Sequence, residues 1–484
     1  MFVNVLEEIG MAYYDEFGKY GDKAAVIDDE NNRITYSDLE CFCRQAGDKM
    51  AHRTLVFSFC ENSIGSICAY VSCLYNHVVP VLLDKHIEKE LRKNLLEIYK
   101  PEYVYIPQDL YGEFEEAEIV LEQRGYRLCR TGYSFEHELY EELGLLLTTS
   151  GSTGSPKLVR QSYTNIQENA KSIAEYLKID ETERPITTLP MNYTYGLSII
   201  NSHLLKGAAI LVTQHTLMER EFWKFFRESE ATSFGGVPYT YEILKKLRFF
   251  NMELPSLRYM TQAGGKLSPQ LHKEFAEYAE SHQKQFIVMY GQCEATARMA
   301  YLPAEKALEK YGSMGIAIPG GRLELIDVNG KFIEKPDEVG ELVYYGPNVT
   351  LGYAQEAGDL KKADERNGRL ETGDMAKRDN DGFYYIVGRK KRFLKIFGNR
   401  VNLDEAEQMV KGYAQECDCA CAGVDDRLYI FVTASSEELH NNIKHFLAEK
   451  TGLNIAAFTV KYIQEIPKNE AGKTLYKKLE EFYD

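Results

Sequence analysis

A run of small hydroxyl residues and glycines that ends in a lysine is the stretch of this chain best suited to chemistry. Residues 145–147 are leucines and predict a buried strand, and the sequence then continues Thr-Thr-Ser-Gly-Ser-Thr-Gly-Ser-Pro-Lys. Glycines let successive backbone N–H groups converge on an anion, while hydroxyls add donors and the lysine adds positive charge. We therefore predict a polyphosphate-binding loop formed by Thr149, Ser150, Gly151, Ser152, Thr153, Gly154 and Lys157.

This loop differs from two common nucleotide-binding loops. A Walker A loop needs a lysine directly after glycine, whereas Pro156 separates Gly154-Ser155 from Lys157 here. The Gly-x-Gly-x-x-Gly pattern of dinucleotide folds is also missing. A run of serine and glycine taken alone is equally compatible with a polar surface loop, so the surrounding elements must decide.

An alternation of strands and helices surrounds the loop. Apolar runs at residues 55–59, 78–83 and 103–106 predict strands, and helical spacing marks residues 63–76 and 87–99. Such alternation is typical of βαβ units in a parallel sheet, whose ligands bind beyond the carboxyl ends of the strands. The pattern resumes after the loop, with strands predicted at 185–189, 208–213, 257–262 and 285–289 and helices at 219–230 and 269–282.

The texture of the sequence changes twice toward its end. From about residue 312, β segments punctuated by glycine predict a β-rich part, and a basic connection follows at Gly388–Arg392. Beyond it, helices are predicted at 404–411 and 436–451 and strands at 429–433 and 458–462. We expect an α/β protein with a large N-terminal domain, residues 1–387, built from two parallel-sheet subdomains and a β-rich subdomain. The basic connection would join it to a small α+β C-terminal domain, residues 388–484.

Composition limits the partners. The chain has 484 residues, 73 of them acidic and 57 basic, for a net charge of −16. This argues against a general binder of nucleic acid or anionic membranes. No apolar stretch reaches the roughly 18 residues of a membrane span, and the N-terminus lacks the basic start of a signal peptide. The chain has ten cysteines and no Cys-x-x-Cys pair, which favours a reducing cytoplasm. Packed thiols are favoured over a metal cluster, also for the alternating Cys417, Cys419 and Cys421.

Further motifs follow the loop in a fixed order. They are Leu189–Leu197, Ala263-Gly264-Gly265, Tyr290-Gly-Gln-Cys-Glu294, Gly340-Glu-Leu through Gly352-Tyr353, Glu371-Thr-Gly-Asp374, Gly388-Arg389 through Lys395, Gly398-Asn-Arg400 and Pro467–Lys473. With the Ser/Gly loop, these motifs make the chain from about residue 33 onward resemble the adenylate-forming superfamily of acyl-CoA synthetases, luciferases and peptide-synthetase adenylation domains. The resemblance implies that this chain has the fold of that superfamily and catalyses the same kind of reaction.

The resemblance assigns nucleotide-binding roles to several residues. It implies that Ala263, Gly264 and Gly265 form the adenine turn, together with Tyr290, Gly291 and Cys293 of the next motif. Glu294 would be the Mg²⁺ ligand, because magnesium bound to nucleotide phosphates takes few protein carboxylates. Asp374 would accept hydrogen bonds from the ribose, and Arg389 would reach the ribose or the α-phosphate. Without the motifs, a solvated turn glutamate, a core tyrosine and a turn-capping aspartate remain the ordinary interpretations.

The implied reaction has two steps. A carboxylate attacks the α-phosphorus of ATP, which gives an acyl-adenylate and pyrophosphate, and Lys473 offsets the developing charge. The C-terminal domain then rotates about the hinge residue Lys391, and a thiol attacks the adenylate. Coenzyme A is the favoured thiol, and the phosphopantetheine of a separate carrier protein is the alternative, because only eleven residues follow Lys473. A non-catalytic relative and a luciferase-type oxygenase are the more distant alternatives.

The predicted acid pocket contains Tyr193, Tyr195, Gly235, Val237 and Thr296. Residues 190–195 contain no acid that would pair with the ammonium of an amino acid, so we expect a non-amino carboxylic acid. The chain also departs from the superfamily at several positions, including the lysine loop at Pro467–Lys473, which lacks the usual Thr and Ser. Cys293 replaces a threonine, and Tyr476 stands where a basic residue is common.

Overall fold

The computed structural model describes residues 12–50, 53–135, 137–148, 157–397, 399–468 and 474–483. The chain divides into two compact units. The first consists of Met1–Arg322 and Tyr345–Leu370, and the second of Leu323–Tyr344 and Glu371–Asp484. The predicted boundary at residue 388 stays a prediction.

Two large sheets form the first unit. One has nine strands in the order β16-β15-β14-β13-β12-β10-β11-β1-β2, and the other has eight in the order β19-β9-β8-β4-β3-β5-β7-β6. Parallel pairs form the centre of each sheet and antiparallel strands lie at its edges. The strands are β1 Ala24–Asp28, β2 Arg33–Thr35, β3 Leu55–Cys60, β4 Val79–Asp84, β5 Tyr103–Pro107, β6 Glu118–Gln123, β7 Tyr126–Arg130, β8 Leu143–Thr148, β9 Leu158–Ser162, β10 Pro185–Ile186, β11 Ile210–Val212, β12 Ser233–Gly236, β13 Tyr259–Gln262, β14 Gln285–Tyr290, β15 Ala300–Tyr301, β16 Ile316–Ala317 and β19 Gly352–Ala354.

Helices connect these strands and cover the sheets. They are α1 Tyr36–Gly47, α2 Ile64–Tyr75, α3 Lys89–Tyr99, α4 Tyr163–Tyr176, α5 Thr194–Leu205, α6 Arg220–Glu228, α7 Pro238–Lys246 and α8 Pro269–Ser281. Local sequence fixes several of their starts. The side chains of Ser63 and Ser268 accept hydrogen bonds from the first turns of α2 and α8, and Ser162 and Asn165 form a capping box on α4. The predicted α/β class with parallel sheets is confirmed.

The second unit is built from smaller sheets. A four-stranded sheet has the order β17-β18-β20-β21, β22 pairs with β23, and β24-β25-β26 form a third sheet. Cys419 and Cys421 are buried in its core, with Cys417 packed against that core. The elements are β17 Arg322–Ile326, β18 Gly340–Tyr345, β20 Arg369–Arg378, β21 Tyr384–Arg389, β22 Phe393–Ile396, β23 Asn399–Asn402, α9 Leu403–Tyr413, β24 Cys419–Val424, β25 Arg427–Val432, α10 Glu437–Thr451, β26 Phe458–Tyr462 and α11 Tyr476–Leu479.

The buried strands are the elements that the sequence predicts best. All six residues of β3 are buried, as expected for a central parallel strand with both faces covered. The predicted strand at 185–189 is shorter than expected, because only Pro185–Ile186 enters the ladder before the chain turns toward Pro190. No helix within the described ranges is long and apolar enough to cross a membrane.

Candidate active site

Three neighbouring strands place their following turns at one edge of the nine-stranded sheet. β12, β13 and β14 run parallel, with Gly236 opposite Gln262 and Gln262 opposite Val288. Since the carboxyl ends of parallel strands meet at the same edge, the turns after these strands lie together. These turns carry the predicted pocket residue Val237, the predicted adenine turn Ala263–Gly265 and the motif that begins at Tyr290.

The predicted acid-pocket residues contact one another at this edge. Gly264 has φ +83°, and a Cβ there would lie 2.7 Å from Tyr193 Oη and 3.1 Å from Val237 Cγ1. Only glycine therefore suits both the backbone conformation and the close approach of the tyrosine. A Cβ on Gly235 would lie 2.9 Å from Tyr195 Oη. Tyr195 itself is fixed by a 2.7 Å hydrogen bond between its hydroxyl and that of Thr261.

The segment after β14 folds back tightly on itself. A Cβ on Gly291 would lie 1.7 Å from the carbonyl oxygen of Ala297, so this close approach excludes any side chain. Thr296 adopts φ +62°, which is unusual for a β-branched residue. Its hydroxyl donates to the carbonyl of Asn348 at 2.7 Å, and its own carbonyl accepts from the hydroxyl of Thr194. These bonds hold a strained backbone, as is common where a fold positions functional groups.

Tyr353 connects the Glu294 carboxylate to two neighbouring cations. The Tyr353 hydroxyl donates to Glu294 Oε1 at 2.7 Å, and Arg366 Nη1 donates to the Glu294 carbonyl at 3.0 Å. The Tyr353 ring also faces two cations, with Lys157 Nζ 5.1 Å and Arg366 Cζ 4.7 Å from its centroid. Burial and the negative charge of Glu294 raise the pKa of Tyr353 to about 12, so the hydroxyl keeps its proton and donates. We call Lys157, Glu294, Tyr353 and Arg366 the carboxylate cluster.

Tyr290 and Cys293 flank this cluster in the chain and are both half-buried. Gln292 Nε2 donates to Tyr290 Oη at 3.1 Å. The side-chain amide of Gln262 donates to the carbonyls of Ala263 and Gly265, at 3.1 and 2.9 Å, and so closes the predicted adenine turn. The turn therefore has a defined shape from its own hydrogen bonds.

The second unit carries its own predicted nucleotide residues. Asp374 and Arg389 are opposite each other in the β20–β21 ladder, and Arg389 Nε lies 2.6 Å from Asp374 Oδ1. The Asp374 side chain is only 4% exposed, whereas that of Arg389 is 52% exposed. The structure thus pairs the predicted ribose-binding carboxylate with the predicted ribose- or phosphate-binding arginine.

Tyr476 takes part in a buried polar group in the second unit. Its hydroxyl donates to Glu407 Oε2 at 3.1 Å, and its ring lies 3.6 Å from the guanidinium carbon of Arg392. Arg392 also donates to Asp404 at 2.5 Å and to Glu407 at 3.3 Å. An aromatic ring at residue 476 therefore stacks on an arginine, where a basic residue would face it with like charge.

Some predicted residues lie outside the described parts of the chain. They are the loop residues Thr149, Ser150, Gly151, Ser152, Thr153 and Gly154, together with Lys473 and the side chain of Lys391. Their roles remain predictions. Lys157, the last residue of the loop, is described and is exposed. The loop connects β8 to β9, which are antiparallel strands of the eight-stranded sheet.

Arg298, which belongs to none of the sequence motifs, lies two residues beyond Thr296 and is only 2% exposed. Its Nε donates to Ser198 Oγ at 3.2 Å, and its Nη1 to Tyr176 Oη at 3.0 Å. The guanidinium carbon lies 5.2 Å from the centroid of the Tyr195 ring. A single charged residue in the run Ala295-Thr-Ala-Arg-Met-Ala300 is the signal that would have revealed it.

Known proteins share this sequence pattern and architecture. Over a shared segment, the chain is 27% identical to oxalate–CoA ligase of Arabidopsis thaliana; this segment is 68% of this chain and 65% of the plant enzyme, less than two thirds of the latter's length. It is 25% identical to 2-succinylbenzoate–CoA ligase of Oceanobacillus iheyensis over 93% of this chain and 95% of that protein.

A solved structure of o-succinylbenzoate CoA synthetase from Bacillus subtilis, in complex with its acyl-adenylate intermediate, matches with a TM-score of 0.76. That match covers 97% of each chain at 21% identity. Another structure of the same enzyme, in complex with ATP and magnesium ion, matches with a TM-score of 0.75 at 22% identity, over 97% of this chain and 99% of that one. These likenesses confirm the predicted fold.

The sequence profile of the AMP-binding enzyme family matches residues 14–354, which is most of the chain. The resemblance to adenylate-forming enzymes is thereby confirmed. Because that match spans well over half of its residues, this chain belongs to the AMP-binding enzyme family.

Proposed function

We propose that this protein is an AMP-forming acid–thiol ligase. It activates a carboxylic acid with ATP as an acyl-adenylate, releases pyrophosphate, and then transfers the acyl group to coenzyme A. The carboxylate cluster is the observation that carries this proposal, because Tyr353 donates to Glu294 while its ring faces the cations Lys157 and Arg366. In a chain of net charge −16, such local cations are what an anionic nucleotide requires.

The cluster fits a magnesium nucleotide. Glu294 is a single half-buried carboxylate, and one or two protein carboxylates suffice where phosphate oxygens and water complete the magnesium shell. Bound magnesium would neutralise charge on the phosphates during displacement at phosphorus. Tyr353 holds Glu294 in one orientation, and Lys157 and Arg366 supply positive charge for the phosphate oxygens. Tyr290 and the Ala263–Gly265 turn would receive the adenine, while the ribose roles of Asp374 and Arg389 remain predictions from the resemblance.

The acid binds beside Tyr193 and Tyr195, whose contacts with Gly264 and Gly235 shape the pocket. The segment 190–195 that contributes these tyrosines contains no carboxylate. The ammonium of an α-amino acid would be buried there without a partner, which is unfavourable. We therefore propose a non-amino carboxylic acid as the substrate class.

The acceptor is a thiol, and coenzyme A is our choice because the related enzymes are named CoA ligases. Phosphopantetheine on a separate carrier protein is the alternative. Supplying the enzyme with its bound acyl-adenylate and either free coenzyme A or carrier proteins whose phosphopantetheine thiol is free separates the two: the thiol displaces AMP and forms the thioester only with the true acceptor. The ten free cysteines fit a cytoplasmic location, which we propose with the activity.

The first test is pyrophosphate exchange with ATP across fatty, aryl, hydroxy, dicarboxylic and amino acids. We expect at least one acid to drive exchange and Glu294→Ala to weaken it at limiting magnesium. The predicted lysine gives a second test. Lys473→Ala should abolish acid-dependent exchange but leave thiolysis of supplied acyl-adenylate largely intact. Equal loss of both half-reactions would contradict the alternating use of the C-terminal domain.

A further inference from the structure

Among its described residues the first unit buries three arginines, and two of them have acidic partners. Arg160 is fully buried and forms an ion pair with Glu365, and Arg92 forms one with Glu113. Arg298 is 2% exposed, and no carboxylate lies within ion-pair distance of it among the residues that the structure describes. Arginine is almost never buried without a partner, because removing a lone charge from water is costly.

The groups around Arg298 are neutral. Its hydrogen bonds go to Ser198, to Tyr176 and, at 3.3 Å, to the sulfur of Met289, while its face lies over the Tyr195 ring. In the described part of the chain its Nη2 has no acceptor, so the guanidinium has N–H groups to spare.

The neighbours of Arg298 also stay uncharged near neutral pH. Burial raises the pKa of both Tyr176 and Tyr195, so their hydroxyls stay protonated. Burial also lowers the pKa of His203, on the same helix as Ser198, to about 3. The ionisable side chains described around Arg298 are therefore neutral, and among the described residues the guanidinium has no anionic partner, which leaves N–H groups for a bound ligand.

The location of Arg298 indicates what that partner is. The residue follows Thr296 by two positions and lies over Tyr195, and both belong to the predicted acid pocket. The reacting carboxylate must lie toward the carboxylate cluster, where the nucleotide is proposed to bind. A second anionic group on the same acid would then reach the guanidinium, whose planar fork matches a carboxylate.

We propose that Arg298 binds a second carboxylate of the substrate, so that this ligase activates a dicarboxylic acid. The inference rests on the proposed function and narrows its substrate class. Arg298 lies four positions after Glu294, which limits their Cα atoms to a separation of about 14 Å. A compact diacid suits that spacing better than a long one.

The test compares acids that differ only in the second carboxylate. Pyrophosphate exchange is measured with succinate and butyrate, glutarate and pentanoate, adipate and hexanoate, and phthalate and benzoate. We expect the diacid of at least one pair to have the higher kcat/KM, by about 30-fold or more, since losing one partner of a buried charge pair is that costly. Higher kcat/KM for the monoacid in every pair would overturn the proposal.

Arg298→Met removes the charge and keeps the bulk of the side chain. We expect the diacid-to-monoacid ratio of kcat/KM to fall by about 30-fold or more, while Arg184→Met, which affects a surface arginine bonded to Glu230, leaves the ratio unchanged. Because an unpartnered buried charge destabilises the free protein, Arg298→Met should melt no lower than wild type without substrate. A lower melting temperature together with an unchanged ratio would assign Arg298 a structural role and overturn the proposal.

Thermal stabilisation by added diacids tests the Arg298 proposal separately from the ligase proposal. If no acid drives exchange, the ligase function fails, and the diacid series is then scored by thermal stabilisation alone. Stabilisation of wild type, but not of Arg298→Met, by one of the four diacids would support the anion site. Equal responses of the two proteins to all four would refute it.

Discussion

Removing the hydroxyl of Tyr353 is the most direct way to test the carboxylate cluster. Tyr353→Phe removes the donor that lies 2.7 Å from Glu294 Oε1 and changes no other atom. The ring remains, so its contacts with Lys157 and Arg366 should persist. The substitution therefore tests whether orientation of this one carboxylate matters for binding of magnesium nucleotide.

The size of the effect follows from the environment of the bond. A hydrogen bond to a charged group contributes about 1.5–3 kcal/mol. Both Tyr353 and Glu294 are half-buried, so water can partly replace the lost donor and the lower part of that range applies. We expect a loss of about 1.5–2 kcal/mol, or roughly 10–30-fold in the apparent affinity for magnesium. Substitutions of groups that orient metal ligands have effects of this order.

The assay is calorimetric titration of ATP binding at a series of magnesium concentrations, which needs no acid substrate. Wild type, Tyr353→Phe, Glu294→Ala and the double variant form a cycle. We expect the effect of Tyr353→Phe to disappear in the Glu294→Ala background, because the hydroxyl then has no carboxylate to orient. Simple additivity of the two substitutions would refute the reasoning.

Three further outcomes follow from buried groups. Arg160→Met should lower the free energy of unfolding by about 1–3 kcal/mol, because buried backbone carbonyls lose their donor while the half-exposed Glu365 regains water; an unchanged urea midpoint would contradict this. Glu407→Gln should destabilise the second unit, detected by its earlier proteolysis, because Arg392, Lys411 and Tyr476 all bond to that carboxylate; wild-type protease resistance would count against it. His203 is buried with a pKa of about 3, against 6.5 in the unfolded chain. As pH falls below 6.5 the unfolded state gains a proton that the folded state refuses, so stability should fall by about 1.4 kcal/mol per pH unit; His203→Gln should show a shallower fall in urea titrations, and identical slopes would exclude the histidine.

Central elements were predictable because their sequences leave one option. β5 is an apolar run of five buried residues, and α3 places Leu95 and Tyr99 on one face, so strand and helix follow directly. The hairpin β6–β7 was not predicted, because β6 is an edge strand with exposed charged residues and no clear alternation. α5 was missed for a different reason. Its first residue, Thr194, has no capping side chain before it and lies within a segment interpreted as a binding loop.

The site was predictable only where its residues form local motifs. The turns at Gly264 and Gly291 carry glycines whose spacing is visible in the sequence. The bond from Tyr353 to Glu294 joins residues 59 positions apart, and no local pattern announces such a pair. Arg298 was overlooked because a charged residue in an apolar run signals burial only once its partners, or their absence among the described residues, are known.

The pairing of β9 with β19 has a consequence for synthesis of the chain. Leu158 to Arg160 hydrogen-bond with Gly352 to Ala354, which the ribosome makes about 190 residues, or roughly 10–40 s, later. Throughout that interval β9 is an unpaired edge strand of the incomplete sheet. The guanidinium of Arg160 also lacks the carbonyls that later surround it. An exposed strand edge can pair with other chains. We therefore expect messages truncated before codon 352 to yield aggregating fragments that chaperones retain.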